Sequence, residues 1–287
     1  LEIREKVINL VRNRNTDLPT LPVVMNNIIA TARSEKSSAK DLAGFIMNDQ
    51  SISARVLKIA NSPYYGMSKK IDSVTRAIVV IGFREIISLA LATGVFSAFS
   101  QKKVGALIDM TELWKHSIAV GFATKKIGKK MGKIMDESAI LIGLLHDIGK
   151  IIFGIYFPKE YAAVLKEAAD AKAPLYKIEK ERLGLDHAEM ACLIMKQWNF
   201  PPNIIDAVHY HHSQFGCPEK QLYMAMMVTA ADFICHQSDI GQSGNKNVEE
   251  DEEIIARLRF SDQDIITLIK ELEAERPQIE YFLEALT

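Results

Sequence analysis

The sequence predicts an all-α protein, a multi-helix bundle with an N-terminal helical lobe. Three observations carry this reading. Apolar residues recur at helical spacing along nearly all of the 287 residues, no two alternating segments flank a hairpin turn, and residues that favour helix starts stand at the heads of several apolar segments.

Taken in order, Pro19 and Pro22 punctuate the start, and Met25, Ile28, Ile29 and Ala32 then follow helical spacing, with Pro22 suited to a first turn. Ser38 with Asp41 three residues on reads as a capping box before a helix burying Leu42, Phe45 and Ile46. Asp49 caps the next, which carries Ile52, Val56, Ile59 and Ala60 and stops at Asn61-Ser62-Pro63, because proline disfavours the α conformation just before it. This pair, joined at Asn48-Asp49, has the outline of a helix-turn-helix. The second helix, which would read DNA, carries only Arg55 and Lys58 as basic residues, so packing is the better account than DNA reading.

After Tyr64-Tyr65-Gly66, Asp72 or Ser73 caps a helix through Val80 that breaks near Gly82, and a longer apolar helix runs from Arg84 toward Phe99. Gln101-Lys102-Lys103 closes the lobe, giving 1–104 as a first unit, 105–240 as a second helical core and 241–287 as a loop and helical tail. Gln237 to Glu250 is rich in Ser, Gly, Asn and Asp and reads as a loop with almost nothing to bury. Ser261 with Asp264 then opens a helix over Ile265, Leu268, Ile269 and Leu272, followed by Phe282, Leu283 and Leu286.

Composition narrows function. Thirty-five Lys plus Arg against 36 Asp plus Glu leave a net charge of −1, which argues against nucleic acid and anionic membranes as partners. The apolar run from Ile86 to Phe99 is shorter than the roughly 20 residues that span a bilayer, and no cationic n-region or cleavage site opens the chain. Cys192, Cys217 and Cys235 form no CxxC pair or disulfide framework, so a reducing cytoplasm is the expected location.

All seven histidines fall after residue 115, so the second helical run is the place to look for chemistry. Glu112 and His116 are four apart on one helix face, His146-Asp147 precedes Ile148-Gly149-Lys150, His187 follows Asp186, and His211-His212 ends a helix begun after Pro202. Asp232 lies among Ala230, Ala231, Phe233 and Ile234, where a carboxylate is costly to bury without a cation or hydrogen-bond donor. Imidazole and carboxylate without thiolate suit Fe, Mn, Ni or Zn, and donors from several helices suit a site in a bundle core. Lys150 reads equally as a solvated surface lysine or, one turn beyond Asp147, as a residue placed to hold a phosphate oxygen; His209 and His236 read as ordinary polar residues of amphipathic helices.

The set His116, His146-Asp147 and Asp232 resembles the four-residue signature of the HD superfamily of metal-dependent phosphohydrolases, which implies an HD-domain-like helical bundle. Leu21-Pro22, Ile46 through Asp49, Ile59-Ala60-Asn61-Ser62-Pro63-Tyr64-Tyr65-Gly66 and Ala77-Ile78 through Ile81-Gly82 resemble the HDOD branch, used as output or regulatory modules in bacterial signalling. The resemblance runs from about Asp17 to His212, with Asp232 beyond it.

It implies a divalent metal site, with one or two ions per chain and His116, His146, Asp147 and Asp232 as ligands. Glu112, His187, His211 and His212 match positions where the related HD-GYP phosphodiesterases of cyclic di-GMP hold further ions, and Lys150 matches their phosphate-contacting lysine. The segment Ser213-Gln214-Phe215-Gly216-Cys217-Pro218 lacks the Gly-Tyr-Pro that names those enzymes. The resemblance thus implies a regulatory module with an intact metal site, acting on a signalling protein or a small phosphorylated ligand. Its alternative is a phosphohydrolase in which Asp147 bridges two ions and, with Lys150, serves catalysis.

Overall fold

The computed structural model describes residues 2–12, 21–34, 36–100, 107–132, 137–248 and 251–287. Pro19, the Gln101-Lys102-Lys103 break and the last two residues of the polar stretch, Glu249 and Glu250, lie outside these. No strand occurs among the described residues. The helices are α1 (Glu2–Arg12), α2 (Val23–Arg33), α3 (Ala39–Met47), α4 (Gln50–Ala60), α5 (Val74–Ile81), α6 (Phe83–Ser100), α7 (Met110–Lys130), α8 (Ala139–Leu145) and α9 (Ile148–Tyr156). They continue as α10 (Pro158–Ala171), α11 (Leu175–Leu183), α12 (His187–Gln197), α13 (Pro202–His209), α14 (Glu219–Gln237), α15 (Glu252–Leu258), α16 (Asp262–Ala274) and α17 (Arg276–Leu286).

The caps read from the sequence are formed. Ser38 and Asp41 make a reciprocal box at α3, as Ser261 and Asp264 do at α16. Asp49 accepts from Ile52 N at the start of α4, and Ser73 rather than Asp72 caps α5. α3 and α4 pack against each other and against α5 and α6. Arg55 donates to the carbonyl of Thr287 at 3.2 Å and Lys58 to that of Glu284 at 2.6 Å, so both cations satisfy the C-terminal end of α17. That engagement supports packing over DNA reading for the helix pair.

Buried apolar side chains form one continuous cluster from α2 to α17. Its centre is α7, which lies along α8, α14 and α17. The α7–α8 approach is close because glycine faces glycine: a Cβ on Gly143 would fall 2.2 Å from Gly121 N, and one on Gly121 would fall 2.8 Å from Ile140 Cα. Residues Phe83–Ser100 and Ala139–Tyr156 are apolar enough to pass as membrane spans by length and composition, yet 72% and 89% of them are buried within the protein. They are core helices here.

The polar stretch after α14 differs from its sequence reading. Gln237 belongs to α14, and Ile240, Ser243 and Asn245 are buried. Ser243 Oγ accepts from Asn245 N and Asn245 Oδ1 from Asn247 N, so side chains supply the partners that the backbone lacks.

Candidate metal centre

Helix ends converge on one buried point between α7, α8, α9, α12 and α14. His146 stands just past α8, His211 just past α13, and each uses its ring to serve the helix it ends. His146 Nδ1 lies 2.6 Å from the carbonyl of Gly143, and His211 Nδ1 lies 2.6 Å from that of Val208. A carbonyl can only accept, so Nδ1 carries the proton in both and Nε2 presents a lone pair inward.

His187 is also fixed through its Nδ1, by another route. Asp186 caps α12 in a box with Glu189, which places His187 at the first helical position, where its N–H has no intrahelical acceptor. Glu179 fills that need. Its Oε2 accepts from His187 N at 2.8 Å and faces His187 Nδ1 at 2.6 Å, while Oε1 accepts from Tyr161 Oη at 2.8 Å. Glu179 and His187 are fully buried. Burial alone would lower the His187 pKa, but Glu179 reverses this and carries it up to about 9.

Asp147 sits between two sets of imidazoles. Its Oδ1 is 3.2 Å from His187 Nε2, and its Oδ2 is 3.3 Å from His146 Nε2 and 3.9 Å from His116 Nε2. Burial opposes its ionisation, but His146 and Lys150 hold the carboxyl well below the usual carboxylate range. Asp232 from α14 approaches His116 Nε2 at 2.9 Å with Oδ1 and is likewise held ionised against burial by His116.

Three groups of donor atoms result: His116, His146 and Asp147; His187, His211 and His212; and His116, Asp232 and His236, with the atoms of each group within 4.8 Å of one another. Most of the residues expected from the sequence are therefore together. Glu112 is not in these groups: its Oε1 pairs with Lys115 at 2.8 Å, three residues on. Lys150 is buried, its Nζ 2.7 Å from Asp147 Oδ2. His236 and Glu179 are the residues that sequence reasoning missed. For His236 the signal existed, since it falls one turn after Asp232.

The donor set fits a divalent cation. His116 Nε2, His146 Nε2, Asp147 Oδ1, His211 Nε2 and Asp232 Oδ1 are buried with no hydrogen-bond partner, although each polar atom so left costs about 1–3 kcal/mol or more. His187 Nε2 and His212 Nε2 face each other at 2.8 Å. A cation among these lone pairs supplies the missing partner, and rings fixed through their other nitrogen are the usual support of histidine ligands. Beside His212 and Asp232 a cavity of about 430 Å³ opens, lined also by Tyr176, Lys177, Asp251 and Glu252.

A buried, all-helical centre of histidines and aspartates defines the class. The HDOD domain model matches residues 18–214, and the chain belongs to the HDOD family. An HDOD domain protein of unknown function from Geobacter sulfurreducens is 25% identical, with a TM-score of 0.80 over 100% of this chain and 97% of that one. A protein of Shewanella amazonensis SB2B, named a candidate phosphohydrolase, is 24% identical with a TM-score of 0.75 over 99% and 98% of the two chains, which shows the shared fold. An uncharacterized protein of Treponema pallidum (strain Nichols) is 22% identical over 240 residues, 80% of this chain. The chain spans 45% of the length of that relative.

The pKa shifts set the pH response of the metal-free protein. His187, held up at about 9, contributes stability that is full below 6.5 and is lost as pH rises toward 9. His211 and His236, pushed down by burial to about 3 and about 4, act oppositely: their stability is full above 6.5 and is lost as pH falls through those values. Thermal unfolding of chelator-treated protein should peak near pH 6.5 and fall on both sides; a midpoint still rising at pH 9 would contradict the His187–Glu179 pairing.

Proposed function

We propose that this chain is a regulatory module of bacterial signal transduction built on an intact HD-type divalent metal centre. The observation that carries the reading is the convergence of five buried ligand-type atoms with no hydrogen-bond partner. His116, His146, Asp147 and Asp232 would hold one ion, and His187, His211 and His212 a second, with Asp147 shared because its two oxygens face different imidazoles. Fe, Mn, Ni or Zn suits such donors.

Two features favour binding or sensing over turnover. Lys150, the cation that would meet a phosphate, is buried on Asp147, and the adjoining cavity sets Asp232, Asp251 and Glu252 against Lys177, a poor balance for a polyanion. Of the two partner classes, a signalling protein or a small phosphorylated ligand, this acidic lining favours a signalling protein.

The second reading is a metal-dependent phosphohydrolase, favoured by the cavity that reaches His212 and Asp232. When bound, the ions would supply Lewis acidity toward a phosphodiester. Elemental analysis of protein purified anaerobically without chelator tests the centre, with two ions per chain expected. No stoichiometric metal after reconstitution with Fe, Mn or Ni would sink it. Loaded protein should leave bis(p-nitrophenyl) phosphate and cyclic dinucleotides intact; metal-dependent hydrolysis would put the second reading first.

A further inference from the structure

We propose that His236 is an additional metal ligand of this centre, joining His116 and Asp232 at a cation position apart from His187, His211 and His212. The proposal rests on the metal-centre reading above and concerns a residue outside the four-residue signature.

The placement follows from α14. Asp232 and His236 are four apart, so both side chains leave one face of the helix. That face meets α7, where the ring of His116 lies 5.3 Å from that of His236, centroid to centroid. The donor atoms of the three residues lie within 4.8 Å of one another.

His236 is also held as a ligand would be. Its Nε2 is 3.1 Å from Ser243 Oγ, and Ser243 is buried. In the tautomer whose Nε2–H donates to that hydroxyl, Nδ1 keeps its lone pair for a cation. This mirrors His146, His187 and His211, where the roles of the two nitrogens are exchanged.

The serine is fixed in turn by the loop that carries it. Gly241 adopts φ +71°, and a Cβ there would fall 2.3 Å from His116 N, so the loop backbone lies directly against α7. Gln242 N donates to the Glu112 carbonyl at 3.1 Å, and Arg276 clamps the carbonyls of Ser238 and Asp239 at 3.1 and 3.2 Å.

A histidine present only to fill space would gain most by donating to the buried carboxylate of Asp232, yet His236 directs Nε2 to Ser243 instead. Glu112, the carboxylate one turn before His116, is turned onto Lys115.

The test is titration of chelator-stripped protein with Co²⁺, followed by calorimetry and elemental analysis. His236→Ala should lose one ion per chain or bind Co²⁺ at least about 10-fold more weakly, and Ser243→Ala should weaken it in the same direction. Wild-type number and affinity in His236→Ala would overturn the proposal. A second measurement needs no variant: in ¹⁵N-histidine-labelled wild type, Co²⁺ should strongly shift the His236 Nδ1 resonance, and an unshifted ring would overturn the assignment. Wild type that takes up no Co²⁺ overturns the metal-centre reading itself, an outcome distinct from wild type that binds while His236→Ala binds equally.

Discussion

Replacing Asp147 with asparagine is expected to strip the protein of divalent metal, and replacing it with alanine to destabilise the fold as well. The first effect follows from position. Oδ1 faces His187 Nε2 at 3.2 Å while Oδ2 faces His146 at 3.3 Å and His116 at 3.9 Å, so one carboxylate serves two groups of donors. Neighbouring carboxylates are already engaged, Asp232 with His116 and Glu179 with His187 and Tyr161.

The second effect follows from Lys150. Its ammonium is buried, 2.7 Å from Asp147 Oδ2. Removing the carboxylate leaves a buried charge without its partner, which costs about 3–5 kcal/mol unless the lysine sheds its proton. Asparagine keeps the shape and one oxygen acceptor, so it should lose metal with the smaller loss of stability. Elemental analysis with thermal unfolding in chelator separates the two effects. Asp147→Asn with wild-type metal content would show that Asp147 is not a ligand.

What the sequence revealed and what it hid have physical reasons. Capping boxes at Ser38 and Ser261 are local, set by two residues three apart, and both are formed. His146-Asp147 marks itself because an acid and an imidazole stand side by side at a helix junction in an otherwise apolar run. Glu179 was hidden, since Lys177-Ile178-Glu179-Lys180-Glu181-Arg182 reads as a solvated charged face. Its burial depends on Tyr161, 18 residues earlier, and on His187, eight residues later.

Glu112 shows the converse. The i, i+4 spacing to His116 is real, but Lys115 at i+3 competes for the carboxylate and holds it. The polar loop after α14 concealed a wall of the site, because Ser243 and Asn245 satisfy buried backbone there and polar composition alone looks the same as exposure.

Gly149→Ala should be among the most damaging single-methyl changes in the chain. A Cβ at this position would fall 2.0 Å from the carbonyl oxygen of His187, 2.8 Å from its carbonyl carbon and 2.9 Å from its Cα. All three are backbone atoms, so no side chain can swing aside and α9 must part from α12. Overpacking of this kind costs about 1–3 kcal/mol and often more.

The damage falls where the centre is least tolerant. Moving His187 strains its contacts to Glu179 at 2.6 Å and to Asp147 at 3.2 Å, the pair that aims Nε2 at the His211 and His212 side. Gly149→Ala should therefore lose stability and weaken metal binding together. Gly44 in α3 provides the contrast: a Cβ there meets nothing within 4 Å, and alanine in a helix interior should stabilise by about 0.4–1 kcal/mol with metal content unchanged. Urea denaturation of both variants reads the two signs side by side. Gly149→Ala as stable as wild type and fully loaded with metal would mean that the α9–α12 contact does not position His187.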